Sequence, residues 1–157
     1  MRGACMPFLL LVSCGGSQSD ASTAGDGKKK GKPEGVVCVE QARTELRPST
    51  GAPERIDLAH ITVRHAGLRE AGAVTLTREE ACLRALEARK KLLGGSDWDS
   101  VFKVYSDNRD ETDGVIFDAT QGSLEPSLAD AAFSLEVDEL SYPIETEHGF
   151  VIVWRKK

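Results

Sequence analysis

Between Asp57 and Arg155 the hydrophobic period changes from two to 3.6 and back, and this switching most narrows the folds open to the chain. Asp57 to Arg64 alternates, with Leu58, His60 and Thr62 on one face and Ala59, Ile61 and Val63 on the other. Thr77-Arg78-Glu79-Glu80 has capping-box spacing. The helix it opens carries a stripe of Ala81, Cys82, Ala85, Leu86, Ala88, Leu92 and Leu93, and Gly94-Gly95 ends it. Glu79 and Glu80 at its start and Arg89, Lys90 and Lys91 at its end suit the macrodipole. Asp97 can cap a second helix with Trp98, Val101, Phe102 and Tyr105 at i, i+3, i+4 and i+7. A polar loop follows, then a short strand from Gly114 to Phe117 and a helix from Pro126 to Phe133. Tyr142 to Glu147 and Phe150 to Arg155 form a hairpin around His148-Gly149.

This order, β-α-α-β-α-β-β, predicts an α+β domain with an antiparallel-rich sheet and helices packed on it. At 157 residues the chain has room for one such domain, placed at 55–157, and a tail.

The tail begins with MRGACMPFLLLVSC. Arg2 supplies a positive start, and Met6 to Val12 is an apolar run too short to span a bilayer and long enough for a signal peptide. Leu11-Val12-Ser13-Cys14 resembles the lipobox of bacterial lipoproteins, in which the cysteine becomes the lipid-bearing N-terminus. An ordinary secretory signal is the alternative. Residues 1–14 are thus expected to be a lipoprotein signal with Cys14 as the lipidation site. Gly15 in place of Asp points to the outer membrane, periplasmic face, within the cell envelope.

Residues 15–54 are expected to form a flexible tether. The stretch 15–35 is Gly, Ser, Lys and other small polar residues, unable to bury enough apolar surface to fold. Lys28, Lys29, Lys30 and Lys32 are a solvated linker or a grip on anionic head groups. Val36, Val37 and Val39 can start one short strand, which Pro48, Gly51 and Pro53 prevent from extending. With Cys5 removed and Cys14 acylated, Cys38 and Cys82 remain. They can pair in an oxidising compartment, but spacing does not decide it, and a buried free thiol on the helix is the favoured reading for Cys82.

Four stretches, in order, resemble the parvulin (rotamase) family of peptidyl-prolyl cis-trans isomerases. They are His60-Ile-Thr-Val-Arg-His65, Thr77 to Gly95, Phe102 to Asp107, and Gly122 to Leu135 continuing through Glu139 to Thr146 and Gly149-Phe-Val-Ile. The resemblance covers about residues 57–156. It implies a four-stranded antiparallel sheet wrapped by about four helices, with a proline-binding groove on one sheet face. It carries the apolar pocket onto Ile116, Leu124 and Leu128, with Phe133 as a further apolar contact, and the polar groups onto His60, Asn108 and Thr146. His148, in the hairpin turn, is placed at the substrate. Taken singly, each residue also reads as ordinary core or strand: His60 as a half-buried strand histidine, Leu124, Leu128 and Phe133 as a helix face.

The chain departs from the family pattern at three places. Asn108 stands where a Cys or Asp is usual. Val151 stands where the last strand carries a second histidine that would bond to the first. Gly114-Val-Ile-Phe117 lacks the Asp and second Gly of the loop.

The resemblance implies a lipid-anchored prolyl isomerase that acts on unfolded or nascent polypeptides outside the cytoplasm and needs neither cofactor nor metal. A peptide-binding chaperone module without turnover is the alternative, favoured by Val151. A lipoprotein domain that only docks a basic partner is a third. The formal charge of −5 argues against nucleic acid as a partner. A phosphate-binding pair would fall at Arg69 and Glu70, where the glutamate reverses one charge, and residues 101–150 hold twelve acidic and two basic residues. Phosphorylated substrates are therefore disfavoured. The carboxylates Asp107, Asp110, Glu111 and Asp113 do not follow the order of a calcium loop.

Overall fold

A computed structural model describes residues 32–44, 46–48, 50–109 and 113–157. The signal segment with Cys14, most of the basic cluster, and Asp110 and Glu111 lie outside the described residues.

The elements run α1 (Glu34–Ala42), β1 (Ile56–Val63), α2 (Arg78–Leu93), α3 (Trp98–Tyr105), β2 (Val115–Ala119), a 3-10 turn (Gln121–Ser123), α4 (Pro126–Ser134), β3 (Ile144–Thr146) and β4 (Gly149–Arg155). The four strands form one antiparallel sheet in the order β2-β1-β4-β3. The caps do what the local sequence demands. Thr77 accepts from the Glu80 amide, the Glu80 carboxylate accepts from the Thr77 amide, and Asp97 accepts from the Ser100 amide. At the tight β3–β4 hairpin, Gly149 has φ +127°, and a Cβ there would lie 2.3 Å from the carbonyl oxygen of Val63.

Alternation along the strands divides the interior in two. Ala59, Ile61, Val63, Phe150 and Ile152 face a cluster with α1, α2 and α3 that includes Trp98 and Phe102. Leu58, Val151, Val153 and Ile144 face a second cluster with Ala131, Ala132 and Phe133 of α4. Burying each large apolar side chain contributes roughly 1.5–3 kcal/mol, so both layers are needed to hold the sheet. The second layer rests on α4, nine residues long, which leaves the His60 end of its face uncovered.

The expected tether needs correction at residues 34–42. They form a helix, not a strand or linker, and it packs on α2. The valines are β-branched, but Gly35, Cys38, Val39 and Ala42 recur at i, i+3, i+4 and i+7 and are the buried face. Gly35 allows close approach: a Cβ there would meet the Glu79 Cβ at 2.8 Å. Cys38 and Cys82 form a disulfide between α1 and α2, where a free thiol was favoured. The compact unit thus begins near residue 31 instead of 55.

Glu145 on β3 ties the same corner together. Arg43, just past α1, donates to it at 2.7 Å, and Arg78 of α2 makes a second, bidentate pair with it. Burial would raise the Glu145 carboxyl, but the hydrogen bonds and charges of the two arginines outweigh it and hold its pKa below the usual carboxylate range.

Candidate active site

The uncovered end of the α4 face opens into a cleft of about 880 Å³. Strand register sets its floor. Thr62 pairs with Val151, and Val151 with Ile144, so one row of side chains crosses three strands. Thr62 and Val151 are 5% and 3% exposed, which makes the floor half polar and half apolar. Leu128 of α4 supplies an apolar wall, while His60, Asn108, Thr146 and His148 complete the ring.

His60 sits near the middle of β1, half buried. Its Nδ1 lies 2.8 Å from the carbonyl oxygen of Gly114. A carbonyl only accepts, so Nδ1 carries the proton, and in the neutral ring Nε2 is the accepting nitrogen. Gly114 earns its place twice. Its φ is +78°, and a Cβ there would stand 2.2 Å from the His60 carbonyl oxygen and 2.7 Å from the Phe102 ring.

The other polar groups divide by what their own chain asks of them. The Thr146 hydroxyl donates to the Gly149 carbonyl at 3.0 Å and accepts from the His148 amide at 3.1 Å, so its proton is committed to the hairpin turn. Asn108 is exposed at the mouth, and its backbone carbonyl accepts from Ser106 Oγ at 2.8 Å. Asp107 closes the end of β1: its amide donates to the Thr62 carbonyl, and its carboxylate accepts from the Arg64 amide. The rim carries both signs, with Arg64 and Arg69 beside Glu70, Asp107, Glu125 and Glu147.

Five of the expected site residues, His60, Asn108, Thr146, His148 and Leu128, therefore surround one cleft. Ile116 and Leu124 do not line it. They pack, with Leu128, on the second core cluster behind the wall. Phe133 needs correction as a substrate contact: it is 0% exposed, at the centre of that cluster. Phe117 is 71% exposed and does not line the cleft. Sequence reasoning missed Thr62 and Asp107 as cleft residues. The alternation that put Thr62 on the His60 face was the available signal.

Glu125, Glu147 and His148 bring one ligand atom each within 4.8 Å of one another at the rim, the group among the described residues that could hold a cation. The Glu147 and His148 side chains are about three-quarters exposed, so water competes for both. His65, beyond the end of β1, is buried. Its Nδ1 accepts from the Gly67 amide at 3.1 Å, and burial holds its pKa below the ordinary histidine value.

Residues 60–157 match the family described as Rotamase, the PPIC-type PPIASE domain. A fruit-fly protein, the putative peptidyl-prolyl cis-trans isomerase dodo of Drosophila melanogaster, is 30% identical over 112 residues, 67% of this chain and 68% of its own length. Among solved structures, the peptidyl-prolyl isomerase ESS1 of Candida albicans superposes with a TM-score of 0.59 at 22% identity, over 66% of this chain and 63% of that one. The parvulin NmPin of Nitrosopumilus maritimus gives 0.51 at 26% identity, over 67% and 98%. The peptidylprolyl isomerase PrsA of Bacillus cereus gives 0.51 at 21% identity, over 78% and 42%.

Proposed function

We propose that this chain, which belongs to the PPIC-type family of peptidyl-prolyl cis-trans isomerases, works outside the cytoplasm on unfolded or nascent polypeptides, tethered by a lipid on Cys14. The observation that carries the site assignment is the open cleft in which Leu128 and Val151 meet His60 and Thr62.

Rotation about the prolyl bond is opposed by amide resonance, with a barrier of ~18–20 kcal/mol. Unaided, it takes tens of seconds, slow enough to limit folding. A catalyst has to bind the twisted amide better than either planar form. Twisting removes resonance and makes the amide less polar, so a water-poor apolar seat favours the twisted form. Leu128 and Val151 offer that seat to the pyrrolidine ring. His60 and the polar groups at the mouth line the same cleft and would hold the flanking backbone while the bond turns. No covalent step is needed.

The disulfide supports an oxidising compartment, since such bonds form outside the reducing cytosol. The lipobox-like Leu11 to Cys14 supports the anchor. Metabolic labelling with a radioactive fatty acid tests it. Label should enter the chain and be lost with Cys14→Ala; an unlabelled chain overturns the anchor. The folding role is tested by refolding a protein with a proline-limited slow phase. Added chain should speed that phase, and an unchanged rate overturns the role.

A second reading has one observation in its favour. Val151 occupies the floor where a second imidazole would partner His60, so the cleft suits capture as well as turnover. Peptide binding without acceleration of exchange would select this non-catalytic module.

A further inference from the structure

Beside the main cleft lies a second hollow of about 440 Å³, and the two share Glu125. One wall is made by Ala42, Arg43, Thr44, Leu46 and Arg47; the other is the first turns of α4 and the start of β3. We infer that this hollow is a subsite for the polypeptide flanking the isomerised bond, and that Leu46 and Arg47 are specificity-determining residues. The inference rests on the isomerase reading of the main cleft and extends it to the substrate.

Three features fit an extended, apolar-rich segment of unfolded chain. The first is continuity: a chain whose proline sits against Leu128 meets the second hollow on crossing Glu125, which borders both. The second is the apolar lining. Ala42 and Ile144 are buried beneath it, Pro126 borders it, and Leu46 remains 39% exposed. The third is the pair of charges. Arg47 stands on one wall and Asp130 on the other. An extended backbone offers carbonyls and amides on alternate sides, so one donor wall and one acceptor wall can hold it without demanding a charged side chain. The Arg43–Glu145 pair and the Cys38–Cys82 bond tie the start of this wall to the domain.

The test compares a blocked tetrapeptide with a central Ala-Pro bond against the same peptide extended by Leu-Ala repeats at either end. Exchange catalysed by the full chain is measured on each. One extended peptide should show about tenfold higher kcat/KM, the value of one buried apolar side chain. Leu46→Asp and Arg47→Ala, both at exposed positions, should remove the gain and leave tetrapeptide turnover unchanged. No gain on extension, or a gain that survives both substitutions, overturns the subsite. If the tetrapeptide is not turned over, the isomerase reading fails separately. Fluorescence anisotropy of labelled peptides then decides the subsite: tighter binding of the extended peptide that Leu46→Asp abolishes supports it, and equal binding overturns it.

Discussion

The ring of His60 is held by the carbonyl oxygen of Gly114, 2.8 Å from Nδ1, and not by a second imidazole. The residue facing the cleft from β4 is Val151. Val151 thus stands where the family pattern places a second histidine, and Gly114 holds the His60 ring. His60→Ala should lower kcat/KM about three- to tenfold, the value of one hydrogen bond, with the fold intact by circular dichroism. Val151→His should raise kcat, because a second imidazole beside His60 would hold the ring more firmly. No change in either variant would mean that the imidazole takes no part.

Gly114 supports this arrangement through its backbone. Gly114→Ala forces a side chain into a left-handed conformation and into the His60 carbonyl. The conformation alone costs about 1–3 kcal/mol. Thermal unfolding should show a clear loss of Tm, and turnover should fall with it.

Leu128 and Phe133 share α4 but not a role. Leu128→Ala should raise KM about tenfold and cost less stability than Phe133→Ala, because Leu128 is only partly buried on the core cluster and also lines the cleft. Phe133→Ala should lose about 3–5 kcal/mol of stability, measured in urea, with KM unchanged in the folded protein. If Phe133→Ala changed KM without changing stability, its assignment to the core would be wrong.

The disulfide encloses a long loop, so its loss should be felt in the unfolded state. Cys38→Ser with Cys82→Ser should cost about 2–4 kcal/mol. Tetrapeptide turnover should survive, since the cleft lies on the opposite face of the sheet from α1 and α2. An unchanged Tm would show that the cross-link adds nothing to the packing of α1 on α2.

Acid should destabilise the domain in two stages. The His65 pKa is lowered from its ordinary 6.5 by burial, so the unfolded chain takes up a proton that the folded one resists. Stability is full above about pH 6.5 and falls as the pH drops below it. The Glu145 carboxyl is also held below its ordinary 4.5, by Arg78 and Arg43 against the effect of burial. Its contribution is present above that value and is lost as pH falls further. Urea midpoints from pH 8 to 3 should decline in both windows. His65→Asn should flatten the upper one and Glu145→Gln the lower one.

What could be read in the sequence was local. The Thr77–Glu80 capping box, the Asp97 cap and the alternation of β1 are decided within a few residues, and the structure has them in place. The antiparallel sheet followed from their order. Helix α1 was not legible. Three β-branched valines argue for a strand locally, and only packing on α2, with a cysteine partner 44 residues away, favours the helix. The site divides in the same way. His60 and Thr146 meet at the cleft through the strands, Asn108 and His148 reach it from loops, and Leu128 comes from α4. Which of the α4-face leucines and isoleucines ends on the wall depends on how far α4 reaches over the sheet, and no residue spacing states that.

The central claim is that this cleft turns prolyl bonds. Two-dimensional exchange NMR on a blocked Ala-Pro peptide, with a catalytic amount of the full chain, tests it most directly. Cis–trans cross-peaks are expected on a sub-second timescale, weakened by His60→Ala and by Leu128→Ala. Exchange no faster than that of the peptide alone, with the protein folded and the cleft open, would contradict it.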